Sequence, residues 1–265
     1  MNKTNQNAGH TFLAHLGKKR LRPGGIRGTS FLLKAFKSSS KKHVLEVGCN
    51  MATTAIELIK KYKIKNYVAC DLDPKVLEKA SINAEKHGVS QNITFKLEDA
   101  TSLSFPDNTF DIIINEAMLT MLSDEQKMKA LSEYYRVLKP GGVVLTHDVV
   151  LLTKDPKLQK EIIANLSRAI HVHVKPHTID GWKLKFIYSG FEIDQYQFGP
   201  MSLLNPWGLI RDEGIINTLR ILKNARKPEH KEQFNKMYQT FKTYKKNLGY
   251  IVIISKKPLK EAPQS

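Results

Sequence analysis

The stretch His43-Val44-Leu45-Glu46-Val47-Gly48-Cys49-Asn50-Met51-Ala52 runs directly into TTAIELIKKY (Thr53–Tyr62), and together they set the architecture. Val44, Leu45 and Val47 form an apolar run of strand length, and Gly48 to Ala52 is short and turn-forming. Ala55, Leu58, Ile59 and Tyr62 then recur at helical spacing, with Thr53 or Thr54 expected as the helix N-cap. A buried strand that passes through a tight turn straight into an amphipathic helix is the opening of a βαβ unit.

The same alternation continues on the C-terminal side. YVACD (67–71) reads as a second strand, and Asp73-Pro74 opens a helix that Gly88 ends. ITFKL (Ile93–Leu97) reads as a third strand, and the turn-forming PDN at 106–108 precedes a fourth, DIIIN (111–115). Ser123 and Gln126 form a capping box for a helix through Leu138, after which Pro140, Gly141 and Gly142 should turn the chain into a fifth strand, VVLTH (143–147). A Lys-rich helical stretch then runs to Ile170, followed by a His cluster, the segment TIDGWKLKFIYSG and a sixth strand, FEIDQYQFG (191–199). A helical section over 209–247 carries Phe234, Met237, Tyr238, Phe241 and Tyr244 on one stripe, and GYIVIISKK closes the chain as strand seven.

The expected fold is therefore α/β: a doubly wound, Rossmann-like, seven-stranded, mostly parallel sheet with helices on both faces and a helical insertion before the last strand. The expected organisation is a basic N-terminal segment (1–42) covering the ligand site, a core (43–199), a helical lid or acceptor insertion (200–247), and the last core strand with a tail (248–265). Only the extreme termini read as disordered.

A chain of 265 residues is long enough for one large domain with a small subdomain. Its two cysteines, Cys49 and Cys70, fall inside core segments and are too few for a disulfide framework or a four-ligand zinc site. No stretch reaches the roughly 20 apolar residues of a membrane span. The polar start MNKTNQNAGH also lacks a secretory apolar region, so a soluble cytoplasmic protein is expected. The net charge of +17 comes mainly from Lys, with 34 Lys against eight Arg. Residues 1–42 carry ten basic and no acidic side chains, residues 43–150 carry 12 and 15, and residues 151–265 carry 20 and 10. The core is thus slightly acidic between two basic flanks, which would attract an anionic acceptor, RNA or a lipid head group, unless their lysines are simply solvated.

In a doubly wound sheet the first βα turn lies at the carboxyl edge, where ligands bind. Asp71 stands 23 residues after Gly48, at the end of strand two, where a carboxylate can accept both hydroxyls of an adenosine ribose. These residues resemble those of the class I S-adenosylmethionine-dependent methyltransferases, in the broad subgroup that includes the ubiquinone and menaquinone C-methyltransferases. VLEVGC is similar to the family's first motif, ACDLDP to its second and LEDATSLSFPDNTFDIII to its third and fourth. RVLKPGGVVLTHD is similar to its fifth strand with the preceding helix, and the likeness covers roughly residues 40–150.

The resemblance implies S-adenosyl-L-methionine as cofactor. Glu46, Gly48 and Cys49 would line its methionine end, Asp71 would hold the ribose, Leu72 would pack on the adenine, and Asp99 with Ala100 would read the adenine edge. Asn115 and Glu116 would face the transferred methyl. Asn50 and Ala52 stand where the pattern usually has glycines. Asn tolerates a left-handed backbone and Ala adds a single methyl, so a working loop is expected there.

Transfer from a sulfonium needs alignment and desolvation first, and a base only where the acceptor must lose a proton. His147, at the end of strand five, is the first candidate, with Glu116, Asp148 and the trio His171, His173 and His177 behind it. The HxHxxxH spacing of that trio lacks the pattern of a known zinc site, so no metal is expected. LGKKRLRPGGIRGTSFLL resembles the segment that covers the cofactor in many small-molecule members of the class. Arg22, Pro23, Gly24 and Gly25 would make a turn there, and Thr11 or Phe12 would close on the sulfonium. No NPPY or DPPY follows strand four and there is no Pro-Cys nucleophile, which disfavours those routes of nucleic-acid base methylation. The leading expectation is methylation of a small or medium-sized acceptor. The alternatives are an RNA or ribosome-associated methyltransferase using the basic flanks, and a non-catalytic cofactor-binding or partner protein.

Overall fold

The computed structural model describes residues 8–35 and 42–259, so the expectation of disordered termini falls on residues 1–7 and 260–265, outside the described part. The core strands are β1 (His43–Val47), β2 (Asn66–Asp71), β3 (Ile93–Leu97), β4 (Phe110–Glu116), β5 (Leu138–Leu151), β6 (His177–Thr178), β7 (Glu192–Pro200) and β8 (Leu248–Lys256). They form one sheet in the order β3-β2-β1-β4-β5-β8-β7. β8 runs antiparallel between β5 and β7, and the other principal pairings are parallel. The sheet has eight strands rather than seven, because the two-residue β6 pairs with the extended end of β5 at Val150 and Leu151.

Period-two alternation sends neighbouring residues of each strand to opposite faces. Val44, Ala69, Ile112, Ile114 and Val252 share one face, covered by α2 (Gly25–Ala35), α3 (Thr53–Tyr62) and α4 (Pro74–Lys86). Leu45, Cys70, Ile113, Val144 and Ile253 share the other, covered by α5 (Asp124–Val137) and α7 (Ile179–Tyr188). α1 (Gly9–His15) joins α8 (Pro206–Ala225) and α9 (Pro228–Thr243) in a separate apolar cluster, and α6 (Pro156–Ile170) packs against α9. The insertion stripe is buried as expected through Met237 and Tyr244.

Local signals mostly act where the sequence places them. Asp73 caps α4 by accepting from Lys75 N–H, and Ser123 and Gln126 make the reciprocal capping box of α5. Two expectations are corrected. Neither Thr53 nor Thr54 caps α3: its N-cap is Ala52, in a left-handed conformation (φ 53°), with no side-chain cap. Pro140-Gly141-Gly142 does not separate helix from strand, since β5 already pairs Leu138 with Phe110. The intervening residues bulge out before Val143 rejoins Ile112, with Gly141 supplying the positive φ of 76°. No helix among the described residues is long and apolar enough to cross a membrane.

Candidate active site

The β1–α3 turn is built from left-handed residues: Gly48 (φ 73°), Asn50 (φ 48°) and Ala52 (φ 53°). Gly48 and Cys49 N–H both donate to Cys70 O at 2.9 Å, which clips the turn to the end of β2. Asp71 completes the link, accepting Asn50 N–H on Oδ2 at 3.1 Å and Asp73 N–H on Oδ1 at 3.2 Å. Each carboxylate oxygen keeps a further lone pair for another donor. Leu72 beside it is 68% exposed. Past β3, Asp99 accepts the backbone and hydroxyl of Thr101, both at 2.8 Å, and Ala100 packs half-buried on the core. Burial pushes the Cys49 thiol far up, so it is a neutral packing group.

Glu46 and Asn115 flank this turn at the ends of β1 and β4, where Val47 pairs with Asn115. Glu46 is buried on β1 and accepts a hydrogen bond from Tyr67 Oη at 2.9 Å. Asn115 points to the opposite face of β4 from Glu116 and donates to Thr146 Oγ1 at 3.0 Å, leaving its buried Oδ1 without a partner.

Glu116 organises a buried polar knot between the strand ends and the N-terminal segment. Its Oε2 faces Arg22 Nε at 2.8 Å and accepts Thr54 Oγ1 at 2.7 Å, while Oε1 accepts Thr29 Oγ1 at 3.0 Å. The Arg22 guanidinium also donates to the hydroxyls of Thr29, Thr53 and Thr54. Burial opposes ionisation of Glu116, but the Arg22 charge and the hydrogen bonds from His147 and Thr54 outweigh it and hold the carboxyl down to about 2. Glu46 goes the other way: burial first, and then the neighbouring Glu116 charge, push it up to about 7. Of the two buried carboxyls, Glu116 carries the charge and Glu46 retains the proton more readily.

His147 has both ring nitrogens engaged. Gly24 N–H donates to Nε2 at 3.0 Å, which places the ring proton on Nδ1, where it faces Glu116 Oε1 at 3.1 Å. The lone pair that a general base would use is therefore occupied by the backbone of the N-terminal turn. That turn forms as expected, with Gly25 N–H returning to Arg22 O at 3.1 Å. Asp148 is fully buried and accepts Thr120 N–H at 3.0 Å and Val149 N–H at 2.7 Å. Burial raises its carboxyl against those bonds.

Beside the knot lies an apolar cavity of about 80 Å³. Gly9, His10 and Leu13 of α1 wall one side, and Leu203, Met237 and Phe241 of the insertion wall another. Ala117, Thr120 and Met121, just past β4, also line it. Burial lowers the pKa of His10, with the charge of Asp71 acting against it, so α1 brings an imidazole near the strand-two carboxylate. Phe12, expected near the sulfonium, instead packs into the cap cluster with its ring edge on His230.

The His trio is dispersed. His171 ends α6 in a left-handed conformation (φ 54°), and His177 pairs with Asp124 at 2.9 Å. Burial, with the Lys127 and Lys185 charges, holds His177 down to about 4. Three flank cations are also used internally: Lys18 with Glu213 at 3.4 Å, Arg20 with Glu57 at 3.0 Å, and Arg22 with Glu116. Sequence reasoning missed Thr29, Thr54, Tyr67 and His10. The signal that could have pointed to the knot is the pair Gly24 and Gly28 beside Arg22, since an added Cβ on either would meet the His147 ring within 3 Å.

Comparison with known proteins gives a consistent result. A methyltransferase-domain family matches residues 44–142. An uncharacterized protein of Haemophilus influenzae is 48% identical over 250 residues, covering 94% of this chain and 98% of that one. The sterol 24-C-methyltransferase of Pneumocystis carinii is 34% identical over 122 residues, 44% of this chain and 31% of that protein. The chain thus spans under half the length of that methyltransferase. Among solved structures, the phosphoethanolamine N-methyltransferase 2 of Haemonchus contortus, in complex with phosphomonomethylethanolamine and S-adenosylhomocysteine, superposes with a TM-score of 0.71 at 18% identity. The match covers 97% of this chain and 59% of that one.

Proposed function

We propose that this chain, whose residues 44–142 match a methyltransferase-domain family, is a class I S-adenosylmethionine-dependent methyltransferase that methylates a small or medium-sized acceptor enclosed between its N-terminal segment and the helical insertion. The observation that carries this reading is the apolar cavity at the end of β4, walled by both of those segments.

The residues at the strand ends suit the cofactor. Asp71 has spare acceptor capacity for a ribose diol, Leu72 offers an exposed apolar surface for a purine, and the left-handed turn from Gly48 to Ala52 presents backbone where the ligand approaches. Asp99 and Ala100 complete the adenine side, and Gly48, Cys49, Asn50 and Ala52 the methionine side. The cofactor supplies an electrophilic methyl on a sulfonium, whose departure leaves a neutral thioether. The protein's own task is to align the acceptor and exclude water. The apolar cavity wall does this, and Arg22, Glu116 and His147 hold the covering turn in place. We assign His147 to positioning that turn rather than to proton removal, and Asp148 to holding the Thr120 backbone. Glu46, beside the turn from Gly48 to Ala52, would line the methionine end of the cofactor and Asn115 would lie near the transferred methyl, while Phe12 supports the cap.

Three basic side chains of the N-terminal flank, Lys18, Arg20 and Arg22, are engaged in internal ion pairs and would not serve an RNA acceptor. The two cysteines are free and buried, which fits a reducing cytoplasm. Calorimetric titration with S-adenosylmethionine, S-adenosylhomocysteine and NAD tests the cofactor. Micromolar binding of both sulfur compounds and none of NAD is expected, with affinity falling about tenfold or more in Asp71→Ala. Unchanged affinity in a folded Asp71→Ala protein refutes the ribose role. Transfer of labelled methyl to a panel of neutral apolar acceptors then tests the cavity.

A further inference from the structure

Helix α8 carries a surface that methyl transfer does not require. It kinks at Gly214 (φ 76°, ψ 165°), and beyond the kink Thr218, Ile221 and Ala225 turn inward to the cap. The opposite face exposes Ile215, Ile216 and Leu219 at 65%, 80% and 62%, and Trp207 at the start of the helix is 78% exposed. Isolated exposed apolar residues are ordinary, but three large ones within five residues beyond the kink, with an exposed Trp on the segment before it, mark an interaction surface.

The charges around them indicate what covers it. Arg220, Lys223 and Arg226 are exposed and lie four, seven and ten residues after Ile216, so they share its side of the helix. From Gly214 to Lys227 the sequence GIINTLRILKNARK has no acidic residue. A second copy of the chain docked through this face would bring those cations against their own equivalents. Single-stranded nucleic acid would need stacking platforms, and the surface is aliphatic apart from Trp207. An anionic bilayer matches both features: aliphatic side chains enter the head-group boundary, Trp sits at its preferred depth, and Lys and Arg extend to the phosphates.

We propose that α8 docks this protein in the plane of an anionic lipid surface, as a peripheral contact. Co-sedimentation of the full chain with phosphatidylcholine vesicles, with and without phosphatidylglycerol, tests it. Binding is expected only with phosphatidylglycerol, weakening as salt rises. Tryptophan emission should shift to the blue on binding, and the shift should be lost in Trp207→Phe, because the other tryptophan, Trp182, is fully buried. The combined variant Ile215→Gln, Ile216→Gln, Leu219→Gln changes only exposed positions, so its melting curve should match the parent while vesicle binding falls about tenfold or more. Three outcomes overturn the proposal. One is no binding to phosphatidylglycerol vesicles, or binding undiminished in the triple variant. Another is a short RNA that quenches Trp207 in place of vesicles. The third is concentration-dependent dimerisation abolished by the same three substitutions.

Discussion

His147 shows how a residue's chemistry depends on what already occupies it. A histidine at the ligand edge of a strand reads as a base, but here Gly24 N–H takes Nε2 and Glu116 takes Nδ1. His147→Ala should therefore lower stability by about 1–3 kcal/mol, through an unpaired buried N–H and a small cavity. The acid limb of the kcat pH profile should keep its midpoint. A limb that disappears with the imidazole would restore His147 as the base. The paired carboxyls make a second prediction. Glu116 is held to about 2, below its unfolded value, so it adds stability above about pH 4.5 that is lost as pH falls toward 2. Glu46 is raised to about 7, so the folded state holds the extra proton and stability declines as pH rises from 4.5 through 7. Glu46→Gln keeps an acceptor for Tyr67 and should remove that decline, amounting to about 3 kcal/mol by pH 8 in urea titrations. Parallel wild-type and variant curves above pH 4.5 would show that Glu46 ionises normally. At this scale the residues proposed for the cofactor side could be named from the sequence because they are contiguous with strand ends. Thr29, Thr54 and Tyr67 were not, since hydroxyls 13 to 38 residues apart carry no local mark of converging on one carboxylate or its neighbour.

At the scale of elements, the strands and core helices were readable because each depends on local period and punctuation: alternate burial, Asp73-Pro74, and Ser123 with Gln126. The misreadings occurred where tertiary demands override local rules. Thr54 is drawn from a capping role to Glu116, and β5 begins before its glycines because Leu138 finds a partner in Phe110. β6 is two residues long and has no period to detect. The docking of α2 depends on a feature that a sequence pattern shows only weakly, the missing side chains at Gly24 and Gly28. A Cβ on Gly28 would lie 2.5 Å from His147 Cε1 and Nε2, in ring atoms buried under a helix that cannot yield without moving. Gly28 itself needs no special backbone conformation, being absent from the positive-φ glycines. Gly28→Ala should therefore act through packing alone. A loss of about 1–3 kcal/mol is expected, with faster proteolytic cleavage within residues 25–35 than within β1 or β4. Restoring space with His147→Ala should rescue part of that loss. No rescue in the double variant would mean that α2 is not seated on this ring.

At the scale of the whole molecule, the cap reaches the sheet through α2, whose Leu32 and Leu33 pack into the core, which makes their linkage testable. α1 and α8 are tied by the buried Lys18–Glu213 pair and by Asn217 and Asn224 donating to Gly17 O and Leu16 O. Ile26 N–H donates to Asp212, bringing α2 into the same body. That body meets the strand ends at the Arg22–Glu116–His147 knot, beside the turn that would hold the cofactor. A cofactor bound beneath the cap stabilises the closed arrangement by mass action, about 2.7 kcal/mol at a hundredfold excess over its Kd. S-adenosylhomocysteine should therefore slow amide exchange in residues 8–35 and 201–243 together, more than in the sheet interior. Removing Arg22 outright would strand a buried carboxylate and risk unfolding the chain. Arg22→Lys keeps the charge but cannot reach Glu116 and the three threonine hydroxyls at once, because an ammonium lacks the planar fork. In that variant exchange in both cap segments should speed up by about tenfold, equivalent to about 1.4 kcal/mol, while β1 and β4 stay protected and S-adenosylhomocysteine binds more weakly. Exchange that rises equally in β1 and β4 would mean that the knot stabilises the fold as a whole. Faster cap exchange with unchanged ligand affinity would mean that closure and cofactor binding are separate.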